Sequence, residues 1–128
     1  MYCSYDDLKK QVPEDVLMRF VDDGEGNLSL TKVEGAIQAA SAEIDIYCGG
    51  LYKVPFLSPP GIINKYAVDI ALYNLFSGQG FNFASESTDR IIYVRYKDAI
   101  EFLKLVAANK IDLFPSGGNT DPDGLGTA

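Results

Sequence analysis

The chain has 128 residues, enough for one domain that buries a core without disulfides or metals. Its net charge of −7 argues against a protein that grips nucleic-acid phosphates, and the absence of histidine removes the commonest general base and the commonest zinc ligand together. No apolar run reaches the ~20 residues of a membrane span, the N-terminus lacks the basic-then-apolar pattern of an export signal, and the two cysteines, Cys3 and Cys48, predict reduced thiols in a cytosolic setting.

The first predicted element is a short helix capped by Ser4, with Asp7 three residues on and Lys9 and Lys10 in its last turn. Cys3 would lie at its frayed start. Pro13 suits the first turn of a second helix, whose apolar side is Val16, Leu17, Phe20 and Val21. That helix stops at Asp22-Asp23-Gly24. The loop that follows places oxygen-bearing side chains at the odd and twelfth positions of a calcium loop, among them Asp23, Glu25, Asn27 and Glu34. Leu28 occupies the sixth position, where such a loop needs glycine, so a plain acidic connection between helices is the preferred reading over a metal site.

The stretch from Thr31 to Phe56 organises the rest. Thr31 and Glu34 form a predicted capping box. Val33, Ile37, Ala40, Ile44, Tyr47 and Leu51 then repeat at three and four, the face of a helix. Alanines at 36, 39, 40 and 42 keep it slim, so a second helix can approach closely. Gly49-Gly50 supplies a left-handed stop, and Leu51 to Phe56 reads as extended, the only place for a short strand. The proline-rich connector VPFLSPPG leads into a helix from about Ile62 to Phe76, with Asp69 in its middle, exposed or paired with a cation. Gly78 to Ser87 has no helical period and reads as a loop carrying Phe81 and Phe83. The last helix runs from about Thr88 to Asn109, with Ile92, Tyr96, Ala99, Leu103 and Val106 on one face and Arg90, Lys97 and Lys104 striped roughly opposite. From Pro115 onward there is almost nothing apolar to bury, and a flexible tail is expected. The expected fold is all-α: four to five helices around a central helix, with a single domain over residues 2–114 and a disordered tail over 115–128.

No catalytic constellation emerges. The cysteines lack an activating histidine, no serine sits in a nucleophile elbow, and no glycine-rich loop carries the lysine a phosphate site needs. Neither enzyme activity nor a cofactor is expected. The aromatic residues are instead numerous, and Tyr2, Tyr5, Tyr47, Tyr52, Phe56, Phe81 and Phe83 are candidates for contacts between subunits.

Four stretches carry a family likeness: Tyr2 to Leu8 (YCSYDDL), Ser41 to Phe56 (SAEIDIYCGGLYKVPF), Val68 to Leu75 (VDIALYNL) and Val94 to Leu103 (VRYKDAIEFL). In this order and spacing they resemble a small protein family from the head and tail gene clusters of Mu-like phages and prophages, itself similar to the head–tail connector or adaptor proteins of tailed phages. The motif residues are Glu43, Asp45, Tyr47, Tyr52, Pro55, Asp69, Arg95, Tyr96 and Asp98. The resemblance implies a structural virion protein, present in the host cytoplasm before assembly. Its expected partners are copies of itself in a ring below the portal, the portal and tail or head-completion proteins, and DNA that passes without specific binding; no membrane is expected. The alternative is a small calcium-responsive or protein-binding helical module.

Overall fold

The computed structural model describes residues 1–77 and 88–114, and the predicted loop with Phe81 and Phe83 and the predicted tail lie outside them. Five helices follow in order: α1 (Tyr5–Lys9), α2 (Glu14–Val21), α3 (Leu30–Cys48), α4 (Gly61–Ser77) and α5 (Thr88–Ala107). The fold is all-α, as the spacing of apolar residues predicts.

The centre of this fold is α4 and not α3. Helix α4 packs against each of the other four helices, whereas α3 packs chiefly against α4 and α5, with a smaller contact to α2. Its buried residues, Ile63, Ala67, Val68, Asp69, Ile70, Ala71, Leu72, Leu75 and Phe76, surround the helix instead of lining one stripe. A helix that is apolar on all sides must be enclosed on all sides. Helix α3 contributes the stripe Val33, Ala36, Ile37, Ala40, Ile44 and Cys48, and α5 contributes Ile92, Ala99, Leu103 and Val106. Helix α2 is fastened by Leu17 and Val21 and by the ring of Phe20, stacked on Phe76 at 3.7 Å and 17°.

The helix ends show where local chemistry decides. Helix α1 has the full capping box: the Ser4 hydroxyl accepts from the Asp7 N–H, and the Asp7 carboxylate accepts from the Ser4 N–H. At α3 the cap is Ser29, not Thr31. The Ser29 N–H is held at 2.7 Å by the Val21 carbonyl, which fixes this residue in an extended conformation, and its hydroxyl then accepts from the Lys32 N–H. The helix begins at Leu30, so Glu34 has no reciprocal cap to close. Gly49 ends α3 in an ordinary right-handed conformation, φ −65°, and not in the left-handed one. Its missing side chain matters for another reason: a Cβ there would lie 2.9 Å from the Asp45 carbonyl oxygen and 3.4 Å from Val54. The left-handed position is Asn109, φ 60°, just after α5.

Leu51 to Phe56 forms no strand. The Tyr52 N–H still bonds the Cys48 carbonyl at 2.9 Å, and the chain then bends through a cis Val54–Pro55 peptide. Among the described residues no neighbouring extended segment offers a ladder, so Tyr52 and Phe56 put both rings into the core without pairing.

Candidate assembly surfaces

The motif residues first divide into ties that hold the helices and side chains left at the surface. Asp45, on α3, accepts a 2.6 Å hydrogen bond from the Tyr2 hydroxyl, and the Tyr2 hydroxyl oxygen accepts the Phe56 N–H at 2.8 Å. The Tyr2 N–H donates to Ser41 Oγ and its carbonyl accepts from Asn64 Nδ2, so one residue joins the N-terminus to α3, α4 and the connector. The N-terminus is therefore packed, not frayed: Tyr2 and Cys3 are both buried. Burial and the hydrogen bond to Asp45 push the Tyr2 hydroxyl well above the ordinary tyrosine range. Tyr52 does the same work at the other end. Its hydroxyl accepts the Leu113 N–H at 3.0 Å and donates to Asp112 at 3.3 Å, which draws the chain after α5 back over the core. Tyr2, Tyr52, Phe56 and Phe114 form one aromatic cluster with centroids 5.8 to 6.3 Å apart. Three residues expected as subunit contacts, Tyr2, Tyr52 and Phe56, are thus core residues, because each has a polar or ring partner inside; Tyr5 and Tyr47 are half-buried.

Asp69 is paired, as its mid-helix position requires. Its side chain has no solvent exposure; Arg95 of α5 reaches one carboxylate oxygen with Nη2 at 2.6 Å and Nε at 2.8 Å, and Lys65 reaches the other at 3.0 Å. Arg95 also donates to Gln11 at 3.0 Å, tying the α1–α2 turn to the same pair. Asp7, Lys10 and Asn64 join these groups around a polar cleft of about 170 Å³. The Asn64 amide beside Asp7 holds its carboxyl below the usual carboxylate range, helped by the Ser4 N–H. Tyr96 stacks on Tyr73 at 3.8 Å and 9°, and burial, with the charge of Glu43, pushes its hydroxyl up. Glu43 is half-buried, and burial raises its carboxyl. Asp98 is exposed. Pro55 contributes the cis turn.

The acidic loop closes on itself. Asp23 Oδ1 accepts the N–H groups of Glu25 at 2.8 Å and Asn27 at 3.3 Å, and Asp22 Oδ1 accepts the Gly26 N–H at 2.7 Å. Gly24 and Gly26 both take positive φ, 98° and 86°, which this tight winding demands. The Glu25 N–H is what holds the Asp23 carboxyl below its ordinary value. Lys32 covers the Asp22 carbonyl at 2.7 Å. Glu25, Asn27 and Glu34 are exposed and are not gathered around Asp23; among the described residues no group of three acidic, cysteine or histidine side chains could hold a metal. The calcium-loop spacing is therefore present in sequence without converging ligands, because the Asp23 oxygen serves the backbone.

The surface also holds side chains that periodicity does not mark. Ile46 is 79% exposed and Leu57 70%, on α3 and on the connector; Leu30, at the start of α3, is 60% exposed. On α5, Ile91, Val94 and Leu105 are exposed at 55%, 44% and 40%. Their signal was readable only as apolar residues outside the core stripe. A separate open groove of about 400 Å³ runs between α2, α3 and α4, floored by Ala36, Ala39 and Leu75 and edged by Phe20, Lys32 and Asn74. No helix among the described residues is long and apolar enough to cross a membrane.

The family model described as "Bacteriophage Mu, Gp36" matches residues 2–128. A Mu-like prophage FluMu protein gp36 from Haemophilus influenzae is 32% identical over 87 residues, a match covering 68% of this chain and 56% of that relative. The chain thus corresponds to just over half the length of that curated relative. On a match that runs from Tyr2 to the last residue, the chain belongs to the Bacteriophage Mu Gp36 family and is a phage protein.

Proposed function

We propose that this protein is a structural, non-enzymatic component of the phage particle, a neck subunit of the head–tail connector or adaptor class that stands in a ring below the portal. The observation that carries the reading is how its polar and aromatic side chains are used. The motif groups with most chemistry to offer, Tyr2, Asp45, Tyr52, Asp69 and Arg95, are spent on fastening helices to one another. Among the side chains left outside, large apolar ones are spread over several places: Ile46 on α3, Leu57 on the connector, and Ile91 and Val94 on α5. A subunit that meets several neighbours needs a rigid interior and such separate contact sites.

Membership of a Mu phage family supports the setting, and the net charge of −7 suits a wall past which DNA slides without sticking. Its partners in this reading are copies of itself, the portal and tail or head-completion proteins. Its place is the virion, after assembly from the host cytoplasm. Native mass measurement tests it: at high concentration, or mixed with the portal protein of the same phage, the chain should form a cyclic assembly of many copies. A protein that stays monomeric and binds neither portal nor any tail component would overturn the reading.

A further inference from the structure

We propose that the contact between neighbouring copies joins the outward face of α5 on one subunit to the acidic α2–α3 loop on the next. The proposal rests on the ring reading above and assigns the two surfaces it leaves open.

Charge is segregated along this chain. From Arg90 to Lys110 there are five basic residues and two acidic ones; Arg95 is neutralised by the buried Asp69 and Lys110 lies past the end of α5, so the outward face of the helix carries three cations, Arg90, Lys97 and Lys104, and two carboxylates, Asp98 and Glu101, a net +1. From Asp22 to Glu34 there are four acidic residues and one basic, a net −3. The basic side chains Arg90, Lys97 and Lys104 are exposed and fall seven apart, so they share a stripe along α5. Beside that stripe stand the exposed apolar side chains Val94 and Leu105. The acidic region has the matching composition: Leu30, 60% exposed, follows directly on the loop whose Asp23 and Glu25 face solvent, with Glu34 one turn further on. The backbone N–H groups closed around Asp23 keep it ionised, which preserves the negative charge of the loop.

Two apolar centres ringed by opposite charge fit each other, and neither fits itself. A symmetric contact of α5 on α5 sets two faces of net positive charge together, and loop on loop sets carboxylate against carboxylate. The complementary pairing is heterologous, each copy offering one surface forward and another back, and a heterologous contact is what closes a ring. The intramolecular pair from Lys104 to Glu101, at 3.9 Å on the surface, is too weak to hold that lysine away from a partner.

Reciprocal charge reversal tests it. One variant carries Lys97→Glu and Lys104→Glu, making both of its surfaces acidic. The other carries Glu25→Lys and Glu34→Lys, making both basic. Unchanged melting of each variant shows that the fold is kept, since all four side chains are exposed. Sedimentation at low and high salt reads assembly. Each variant alone should self-associate at least about tenfold more weakly than the parent chain, and an equimolar mixture should restore assembly with alternating subunits. High salt should weaken the parent assembly. If both variants assemble as the parent does, these surfaces are wrong and the ring reading stands. If the parent chain never assembles, alone or on its portal, the ring reading fails and takes this contact with it. If Lys97→Glu/Lys104→Glu leaves assembly intact but abolishes retention of duplex DNA, the basic stripe faces nucleic acid and the proposal is overturned.

Discussion

Arg95 meets Asp69 across the α4–α5 contact with two nitrogens, at 2.6 and 2.8 Å, on a carboxylate that has no solvent exposure. Removing one partner of such a pair leaves a charge stranded in the core, and the usual cost is ~3 kcal/mol or somewhat more. Arg95→Met should therefore lower the urea midpoint by an amount corresponding to about 3 kcal/mol, with Lys65 alone left on the carboxylate. Arg95→Lys should recover only part of this, because an ammonium cannot reproduce the fork. The double change Asp69→Leu/Arg95→Met, which removes both charges, should be more stable than Arg95→Met by itself. A midpoint for Arg95→Met equal to that of the parent chain would mean that the pair does not hold α5 in place.

Tyr2 tests the second tie. In Tyr2→Phe the ring still packs against Phe56, with centroids at 5.9 Å, while the hydroxyl that joins Asp45 to the Phe56 N–H is gone. A buried N–H left without a partner costs about 1–3 kcal/mol, and the loss should appear as a lower melting temperature with unchanged helix content. Amide exchange should localise it: the Phe56 N–H should exchange faster while the amides in the middle of α4 keep their protection.

Much of this was open to a reader of the sequence. The five helices follow from the spacing of apolar residues, from Ser4 with Asp7, and from the prolines at 13 and 59–60. What misled was context. The stretch from Thr31 to Phe56 read as the organising one, while the buried residues of α4 lie all round that helix, the pattern of a helix enclosed by its neighbours. Ser29 takes the cap in place of Thr31 because its N–H donates to the Val21 carbonyl, a contact across the loop that local sequence does not reveal. Asp69 was legible as a residue needing a cation, but Arg95 is 26 residues away and the pairing belongs to the packing of two helices. Exposure of aromatic residues was least legible of all. Tyr2 and Tyr52 look like interface residues until their hydroxyls are seen to serve the Phe56 and Leu113 amides.

The acidic loop should be indifferent to calcium. Its Asp23 oxygen already accepts two backbone N–H groups, and the exposed Glu25 and Glu34 do not converge on it. Millimolar calcium at physiological ionic strength should leave the melting temperature unchanged. Asp23→Ala should instead loosen the loop, seen as faster exchange of the Glu25 and Asn27 amides, with no change in calcium response. A calcium-dependent rise in melting temperature that Asp23→Ala abolishes would restore the metal reading.

Alkaline pH should unfold this protein early, and the two thiols give the reason. Burial pushes Cys3 and Cys48 from the ordinary 9.0 up to about 12, with the charges of Asp7 and Asp45 respectively adding to the effect. The folded state therefore keeps both protons where the unfolded chain has released them. More protons bound when folded means that stability falls as pH rises. The stabilisation is complete below the ordinary thiol value and is lost progressively from about pH 9 towards 12, with Tyr2 and Tyr52, both raised chiefly by burial, acting in the same direction. Urea midpoints measured at rising pH should decline through that window. Cys48→Ala should decline less steeply than the parent chain, although its stability near neutral pH is lower for want of the packed sulfur. In the folded protein both thiols should react slowly with a thiol reagent at pH 8, and rapidly once urea exposes them. Fast labelling of Cys48 in the folded chain would show that the end of α3 opens far more readily than its full burial requires.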